Sequence, residues 1–184
     1  MTAMTSSMLR AFRRFGRDRR GVSAVEFAFI APVMIGLYLG CAENSDGVAA
    51  DRKVSLTAGA LANLTSQVTT VSTADMTNIL DASSAIIAPY AAGNLKMTVT
   101  CLSIDANKNA KVKWSVTRNG TVESGTLTIP AALDVANTQL IYSEVSYAYT
   151  PIVGYTISGT LTLSDHMYMS PRITPPTYNG IACT

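Results

Sequence analysis

Hydrophobic and polar positions divide the chain into a helical first part and a second part with strand periodicity. A run of twenty residues with a single formal charge, VSAVEFAFIAPVMIGLYLGC, extends from Val22 to Cys41. Beyond it, apolar side chains recur every three or four residues as far as Val68, which is typical of one face of an amphipathic helix. The pattern predicts one long helix from about Val22 to about Val68, kinked at Pro32 and loosened near Ser45-Asp46-Gly47.

A second helix and a group of strands follow. Ser72-Thr-Ala-Asp75 has the form of an N-terminal helix cap, so a helix is predicted from near Thr73 to before Pro89. From Leu95 the period changes to two, in segments rich in Thr, Val, Ile and Tyr. These segments are LKMTVTCLSI, KVKWSVTRN, TLTI, QLIYSEVSYAYT and TISGTLTLSDHMYM, with a hairpin signal at Asn119-Gly120 and a short helical stretch, PAALDVAN, before the fourth. The predicted fold class is α+β, with helices first and then an antiparallel sheet of four or five strands.

Charge is scarce and unevenly placed. Of 184 residues, 14 are Lys or Arg, 12 are Asp or Glu and 48% are hydrophobic, a composition that excludes a disordered linker. Residues 1–21 hold six arginines and one aspartate, whereas the remainder is mildly acidic. Nucleic-acid binding by the folded part is therefore not expected.

The apolar run is the one stretch long enough to span a membrane. As a helix, residues 22–41 cover about 30 Å, the thickness of one hydrocarbon core. Arginines just before the run predict a cytoplasmic N-terminus and translocation of everything after it. The predicted organisation is a basic cytoplasmic leader at 1–21, a transmembrane helix at 22–41 and a periplasmic α+β domain at 42–184. A cleaved secretory signal peptide is the alternative, although its apolar region usually has only about 7–15 residues.

Glu26 places a carboxylate inside this apolar run. A charge at the bilayer centre costs roughly 3 kcal/mol and less near an interface, so it normally has a partner or a function. An interfacial residue that reaches the headgroups is the structural alternative. Gly21 followed by an apolar helix with Glu at the fifth place resembles the type IV prepilin signal.

That resemblance implies processing and assembly. A membrane-embedded prepilin peptidase would cut between Gly21 and Val22 on the cytoplasmic side and leave the helix on the mature protein. The new α-amine of Val22 is protonated at neutral pH, so it would pair with Glu26 of a neighbouring subunit. Head-to-tail pairing of this kind would set the axial register of a helical assembly.

Other segments extend the resemblance along the chain. They are RRGVSAVEFAFIAP, ADRKVSLTAGALANLTSQ, ILDASSAIIAPY, KWSVTRNG, SEVSYAYTP and YMSPR. In order and spacing, over most of residues 17–172, they resemble the TadE/TadG-type proteins of the tight-adherence (Tad) pilus system, and GVSAVEFA followed by Pro32 is the strongest element. TadG-like members often carry a large adhesive or von Willebrand-type domain that this sequence lacks, so a short, pilin-like TadE-type minor pseudopilin is expected.

The family resemblance implies a function and partners. The chain is expected to be a non-enzymatic protein of pilus biogenesis and adhesion, anchored in the bacterial inner membrane and possessing no cofactor. Its expected partners are prepilin peptidase, other pilins and pseudopilins, the inner-membrane assembly platform and membrane lipid. The alternatives are an uncleaved, membrane-anchored component of the assembly machinery, and a periplasmic ligand-binding domain on a signal anchor.

Three cysteines allow one bridge in an oxidising compartment. If the residues beyond Cys41 face the periplasm, Cys101 in the first long strand and Cys183 near the C-terminus are the expected pair. Free thiols are the alternative. A metal site is not expected, because no CxxC motif or neighbouring histidine accompanies these cysteines. Cys41, at the outer end of the span, is expected to stay outside the bridge.

Residues for catalysis are not evident. The single histidine, His166, follows Ser164 and Asp165 directly, and neighbouring strand residues face opposite ways, so the three do not form a triad. Phosphate loops, dinucleotide-binding glycines and zinc-protease helices do not occur in the sequence. Five tyrosines fall late in the chain, at positions Tyr142, Tyr147, Tyr149, Tyr155 and Tyr168. Their expected role is packing of the sheet, and a carbohydrate- or surface-binding patch is the alternative.

Overall fold

The computed structural model describes residues 20–151, 154 and 159–184. Residues 1–19 of the predicted leader and Tyr155 lie outside the described residues. The chain divides into two compact units, Met1–Ala42 and Glu43–Thr184.

A single long helix, α1 (Arg20–Ser66), forms the first element and contains Pro32. The helix continues through Ser45-Asp46-Gly47, where the sequence predicts loosening. Side chains from elsewhere in the second unit support this stretch. The Tyr90 hydroxyl donates a hydrogen bond of 3.0 Å to the Asp46 carbonyl, and the Tyr149 ring lies against Gly47. Tertiary contacts therefore outweigh the low helix propensity of glycine at this place.

The second helix, α2 (Thr73–Ser84), begins with the predicted cap. The Ser72 hydroxyl accepts a hydrogen bond from the Asp75 backbone N–H, and the Asp75 carboxylate accepts one from the Ser72 backbone N–H. Donation from the Ser72 hydroxyl and backbone holds the pKa of Asp75 below its ordinary value. Two 3₁₀ turns, Ala85–Ile87 and Ala92–Asn94, lead from α2 to the sheet.

In the described part of the chain, seven strands follow one another, and five of them form one antiparallel sheet. The strands are β1 (Thr70–Val71), β2 (Leu95–Ile104), β3 (Ala110–Arg118), β4 (Thr126–Leu127), β5 (Gln139–Tyr149), β6 (Leu161–Met169) and β7 (Thr177–Tyr178). The order of the main sheet is β4-β3-β2-β5-β6, whereas β1 and β7 form a separate parallel pair. The predicted α+β class is confirmed, with five strands in the antiparallel sheet.

The sheet has an inner face that packs against α1 and α2 and an outer face on the opposite side. In β2, Leu95, Met97, Val99 and Cys101 are buried on the inner face together with Val54, Ala58 and Leu61 of α1. The Ser143 hydroxyl of β5 donates to the Ala58 carbonyl at 2.7 Å, which ties the centre of the sheet to the helix. The outer face has a smaller cluster of buried residues, namely Leu102, Ile104, Ala110, Leu140 and Tyr142.

The chain reverses after β3 in a return segment, defined as residues 119–125. Asn119 adopts a left-handed φ of 56°, as a turn requires, but residues 119–125 separate β3 from β4. The tight two-residue hairpin predicted at Asn119-Gly120 is therefore wrong. A ladder with β3 forms only at Thr126 and Leu127, so the predicted strand TLTI is shorter than expected. The reason is that Leu127 already lies opposite the first residue of β3, so the last two residues of TLTI have no strand residue opposite them. Before the ladder, the Glu123 backbone N–H donates to the Ser115 hydroxyl at 3.0 Å.

We expect Gly120→Ala to destabilise the protein, because the turn approaches the sheet too closely for a side chain. A β-carbon at position 120 would lie 2.6 Å from Thr117 Oγ1 and 3.1 Å from Thr98 Oγ1. Such overpacking costs about 1–3 kcal/mol. Each kcal/mol lowers the melting temperature by roughly 2–4 °C in a chain of this size. The melting temperature of the detergent-solubilised protein, followed by fluorescence of the single tryptophan, measures the effect.

Gly93→Ala is the matched control, because a β-carbon at Gly93 meets nothing within 4 Å. Its expected effect is within about 0.5 kcal/mol of zero. Equal melting temperatures for the two variants would contradict the close approach at Gly120.

Candidate functional site

The first candidate site is the apolar surface of α1. Among the described residues, one helix, Gly21–Ser66, is long and apolar enough to cross a membrane. Over residues 22–38 of this helix the large apolar side chains are exposed, from 53% for Val22 to 76% for Phe29. A soluble domain rarely exposes so large a contiguous apolar patch, and a core helix would bury it. The exposure therefore fits a membrane anchor or a signal sequence.

The predicted processing and assembly residues lie in the first two turns of this helix. Gly21 and Val22 are in the first turn, where backbone N–H groups have no partner within the helix. Glu26 is exposed, and it follows Val22 by four residues, so the two positions share one helix face about a turn apart. A β-carbon at Gly21 would meet nothing within 4 Å. The fold itself therefore does not require glycine at this position.

The predicted disulfide between Cys101 and Cys183 is present. Both cysteines are fully buried, and their Cα atoms are 5.9 Å apart. Cys101 lies in the central strand β2, so the bridge fastens the C-terminal tail to the core. Further contacts hold the tail. The Trp114 indole N–H donates to the Pro176 carbonyl at 3.2 Å. The remaining cysteine, Cys41, is exposed.

The late tyrosines form two groups on opposite faces of the sheet. Tyr147 and Tyr149 pack on the inner face with Tyr90, whose ring centroid is 6.1 Å from each of theirs. Burial, followed by the charge of Asp46, raises the pKa of Tyr149. Tyr142 and Tyr168 pack on the outer face with centroids 5.0 Å apart. The four described tyrosines of the predicted set therefore form no single aromatic patch.

His166 and Asp165 lie on the edge strand β6, and the Asp165 carboxylate contacts the backbone of His166. The Asp165 carboxylate accepts a hydrogen bond of 2.8 Å from the backbone N–H of His166, and the His166 ring lies edge-on to Tyr168 at 5.6 Å. Within residues 20–151, 154 and 159–184, no group of three or more His, Cys, Asp or Glu side chains is placed to hold a metal ion.

Sequence analysis missed a polar area at the outer face. Glu144 of β5 lies directly opposite Thr98 of β2 on one side and His166 of β6 on the other. The Tyr142 hydroxyl donates to the Glu144 carboxylate at 3.0 Å. Burial, followed by the Glu144 charge, raises the pKa of Tyr142. Alternation in QLIYSEVSYAYT places Tyr142, Glu144 and Ser146 on one face, but their partners on other strands follow only from the register.

The predicted site residues belong to two separate parts of the chain. Gly21, Val22 and Glu26 lie at the start of α1, whereas Cys101 and Cys183 join β2 to the tail. No family model, curated protein or solved structure matches this chain. Its function is therefore argued from these residues and their surroundings.

Proposed function

We propose that this chain is a non-enzymatic minor pseudopilin of a Tad-type pilus, which prepilin peptidase processes between Gly21 and Val22. The mature protein keeps the apolar helix as its membrane anchor and assembly element. Its N-terminus starts on the cytoplasmic side of the bacterial inner membrane, and the second unit lies in the periplasm. The pilin-like arrangement of a long helix before an antiparallel sheet agrees with this role.

Glu26 is the observation that carries the proposal. It is the single carboxylate in an apolar segment whose described side chains are almost all exposed, and its own side chain is exposed too. A carboxylate inside the apolar segment is unfavourable, by roughly 3 kcal/mol at the bilayer centre and less near the interface, so a partner stabilises it. The protonated α-amine that cleavage creates at Val22 of another subunit supplies one. Each subunit then offers one cation and one anion about a helical turn apart.

The disulfide supports the proposed location of the second unit. Structural disulfides persist in the periplasm and outside the cell, and they are rare in the bacterial cytoplasm. Cys101 and Cys183 are both in the second unit, after the apolar segment. An N-terminus in the cytoplasm and a domain across the membrane agree with this placement. The proposed partners are prepilin peptidase, other pilins and pseudopilins, the assembly platform and membrane lipid.

Glu26→Gln tests the proposal, because it removes the charge and keeps size and polarity. A hydrogen bond to a charged group contributes about 1.5–3 kcal/mol, so we expect co-isolation of the variant with other pilus components to fall about tenfold or more. Pilus-dependent surface attachment should fall with it. Membrane insertion should be unchanged or improved, because the apolar segment loses a charge.

Asp51→Asn is the matched control, since it removes an exposed carboxylate of the same helix outside the apolar segment. This variant should attach and co-isolate as the parent does. The comparison needs equal amounts of processed protein in all strains. If Glu26→Gln matched the parent in both measurements, the pseudopilin assignment would fail and an uncleaved membrane anchor would replace it.

A further inference from the structure

The outer face of the sheet is divided into a covered half and an open half. In the covered half, Leu102 and Leu140 pack beneath Leu127, Ile129 and Leu133 of the segment that follows the return segment. The open half forms a cleft with a volume of about 390 Å³. This size falls within the roughly 300–1,000 Å³ of typical small-ligand pockets. We name it the outer-face cleft, and its main lining residues are Lys96, Thr98, Asn119, Glu123, Glu144 and Ser146.

The floor of the outer-face cleft is fixed by the register of the two central strands. Lys96 pairs with Ser146, and Thr98 pairs with Glu144, so these four residues form a block of neighbouring outer-face positions on β2 and β5. Tyr142 holds the Glu144 carboxylate through its hydrogen bond to Oε2. The floor is therefore part of the regular sheet, which makes it rigid.

The wall of the cleft is the return segment, and three hydrogen bonds fix it to the sheet. The Asn119 carboxamide donates to the Leu95 carbonyl at 3.1 Å, and the Thr98 hydroxyl donates to the Thr121 carbonyl at 3.2 Å. The backbone N–H of Glu123 donates to Ser115 at 3.0 Å. Because all three bonds are made within the protein, a ligand does not have to order the wall.

The chemistry of the lining excludes several classes of ligand. One ammonium, Lys96, and two carboxylates, Glu123 and Glu144, give the cleft a net charge of 1 − 2 = −1, which disfavours phosphates and other anions. Metal coordination is not supported by the described residues, as stated above. The main lining side chains are polar, so a hydrophobic ligand would leave their hydrogen bonds unmade.

A ligand with many hydroxyl groups complements the polar and charged side chains that line the outer-face cleft. Each hydroxyl both donates and accepts, carboxylates only accept, and an ammonium only donates. Lys96 and the carboxylates of Glu123 and Glu144 therefore complement neighbouring hydroxyls on one ligand. Among the described residues, Oε1 of Glu144 has no hydrogen bond, which leaves an acceptor ready for such a ligand.

We propose that the outer-face cleft binds a neutral polyhydroxylated ligand, a single sugar unit of a carbohydrate, with Glu144 as its main hydrogen-bond acceptor. This inference concerns only the second unit, and it does not depend on processing or on pilus assembly. In a pilus, the cleft would give the protein a means of contacting surface carbohydrate.

Titration of the purified full-length protein in lipid nanodiscs tests the inference. The probes are the methyl glycosides of glucose, galactose, mannose and N-acetylglucosamine, and binding is followed by NMR chemical shifts. We expect at least one sugar to bind, with shifts concentrated at residues 96–98, 119–123 and 144–146. Glu144→Gln keeps the shape but replaces an acceptor oxygen by a donor, so affinity should fall at least tenfold. Ser146→Ala should lower the affinity for the same sugar to a smaller extent.

Asp165→Asn is the control, because it alters a carboxylate of the same sheet outside the cleft. It should bind the sugar as the parent does, and unchanged melting temperatures show that each variant is folded. Free arginine and inorganic phosphate serve as charged competitors. The inference is overturned if no glycoside binds, if Glu144→Gln binds as the parent does, if shifts lie elsewhere, or if only a charged competitor binds.

Discussion

Cys183→Ser should lower the free energy of unfolding more than any other single change considered in the second unit. The bridge joins residues separated by 82 positions, and the chain-entropy model gives about 4–5 kcal/mol for a loop of this length. Both sulfur atoms are buried, so a serine hydroxyl at position 183 also loses its hydration. The melting temperature should fall by roughly 10 °C or more.

Loss of the disulfide should also change the fluorescence of the protein. The tail holds Tyr178 against the single tryptophan, Trp114, with ring centroids 5.6 Å apart, and Trp114 is only 4% exposed. Release of the tail should expose the indole and move its fluorescence to longer wavelength before the sheet melts. Addition of a reductant to the parent should reproduce the change.

Cys41→Ser is the matched control for this experiment, because it replaces a cysteine that is exposed. Its free energy of unfolding should stay within about 0.5 kcal/mol of the parent's, which is the range of ordinary surface changes. A Cys183→Ser protein as stable as the parent, or native unreduced protein in which Cys101 and Cys183 are both alkylated, would contradict a stabilising bridge.

The sequence predicted those elements whose defining interactions join residues close together along the chain. The period-two segment LKMTVTCLSI coincides with β2, because successive side chains of a single strand face opposite sides of the sheet. Both faces of this central strand are largely buried, which the alternation alone did not indicate. The cap formed by Ser72 and Asp75 was predicted for the same reason, since its two hydrogen bonds join residues three positions apart.

Features that depend on pairing between distant segments were not predicted. The parallel pair β1–β7 joins strands of two residues, and two residues carry no period. Alternation along β5 sends Tyr147 and Tyr149 to the face opposite Tyr142, but Tyr168 of β6 joins Tyr142 only because the register pairs the two residues.

Buried polar positions were missed for a related reason. Glu43 is only 4% exposed, and no local pattern in the sequence marks it as a buried position. The outer-face cleft needs the register of β2 against β5 and a return segment held by side chains, and neither follows from composition. By contrast, Gly21, Val22 and Glu26 could be named as candidates because their signal is a fixed spacing along one helix, and their roles stay predictions.

Gly21→Leu should stop the processing of the chain almost completely. The bond at which we propose cleavage, Gly21–Val22, lies in the first turn of α1. Glycine makes this turn easier to open than another residue would, and it leaves no β-carbon to obstruct a tight site. Leucine reverses both effects. Full-length precursor should accumulate in the membrane, and intact mass of the purified protein measures the ratio of precursor to mature form.

The melting temperature distinguishes a failure of processing from a failure of folding. Since a β-carbon at Gly21 meets nothing within 4 Å, the second unit of Gly21→Leu should melt at the parental temperature. Gly59→Ala is a matched control, because it alters another glycine of α1 whose β-carbon would meet nothing within 4 Å. It should be processed as the parent is. A mature N-terminus that is unchanged in Gly21→Leu, or that begins elsewhere than Val22 in the parent, would refute cleavage after Gly21. Gly21→Leu should also lose surface attachment, because an uncleaved chain has no α-amine at Val22 for Glu26 of another subunit.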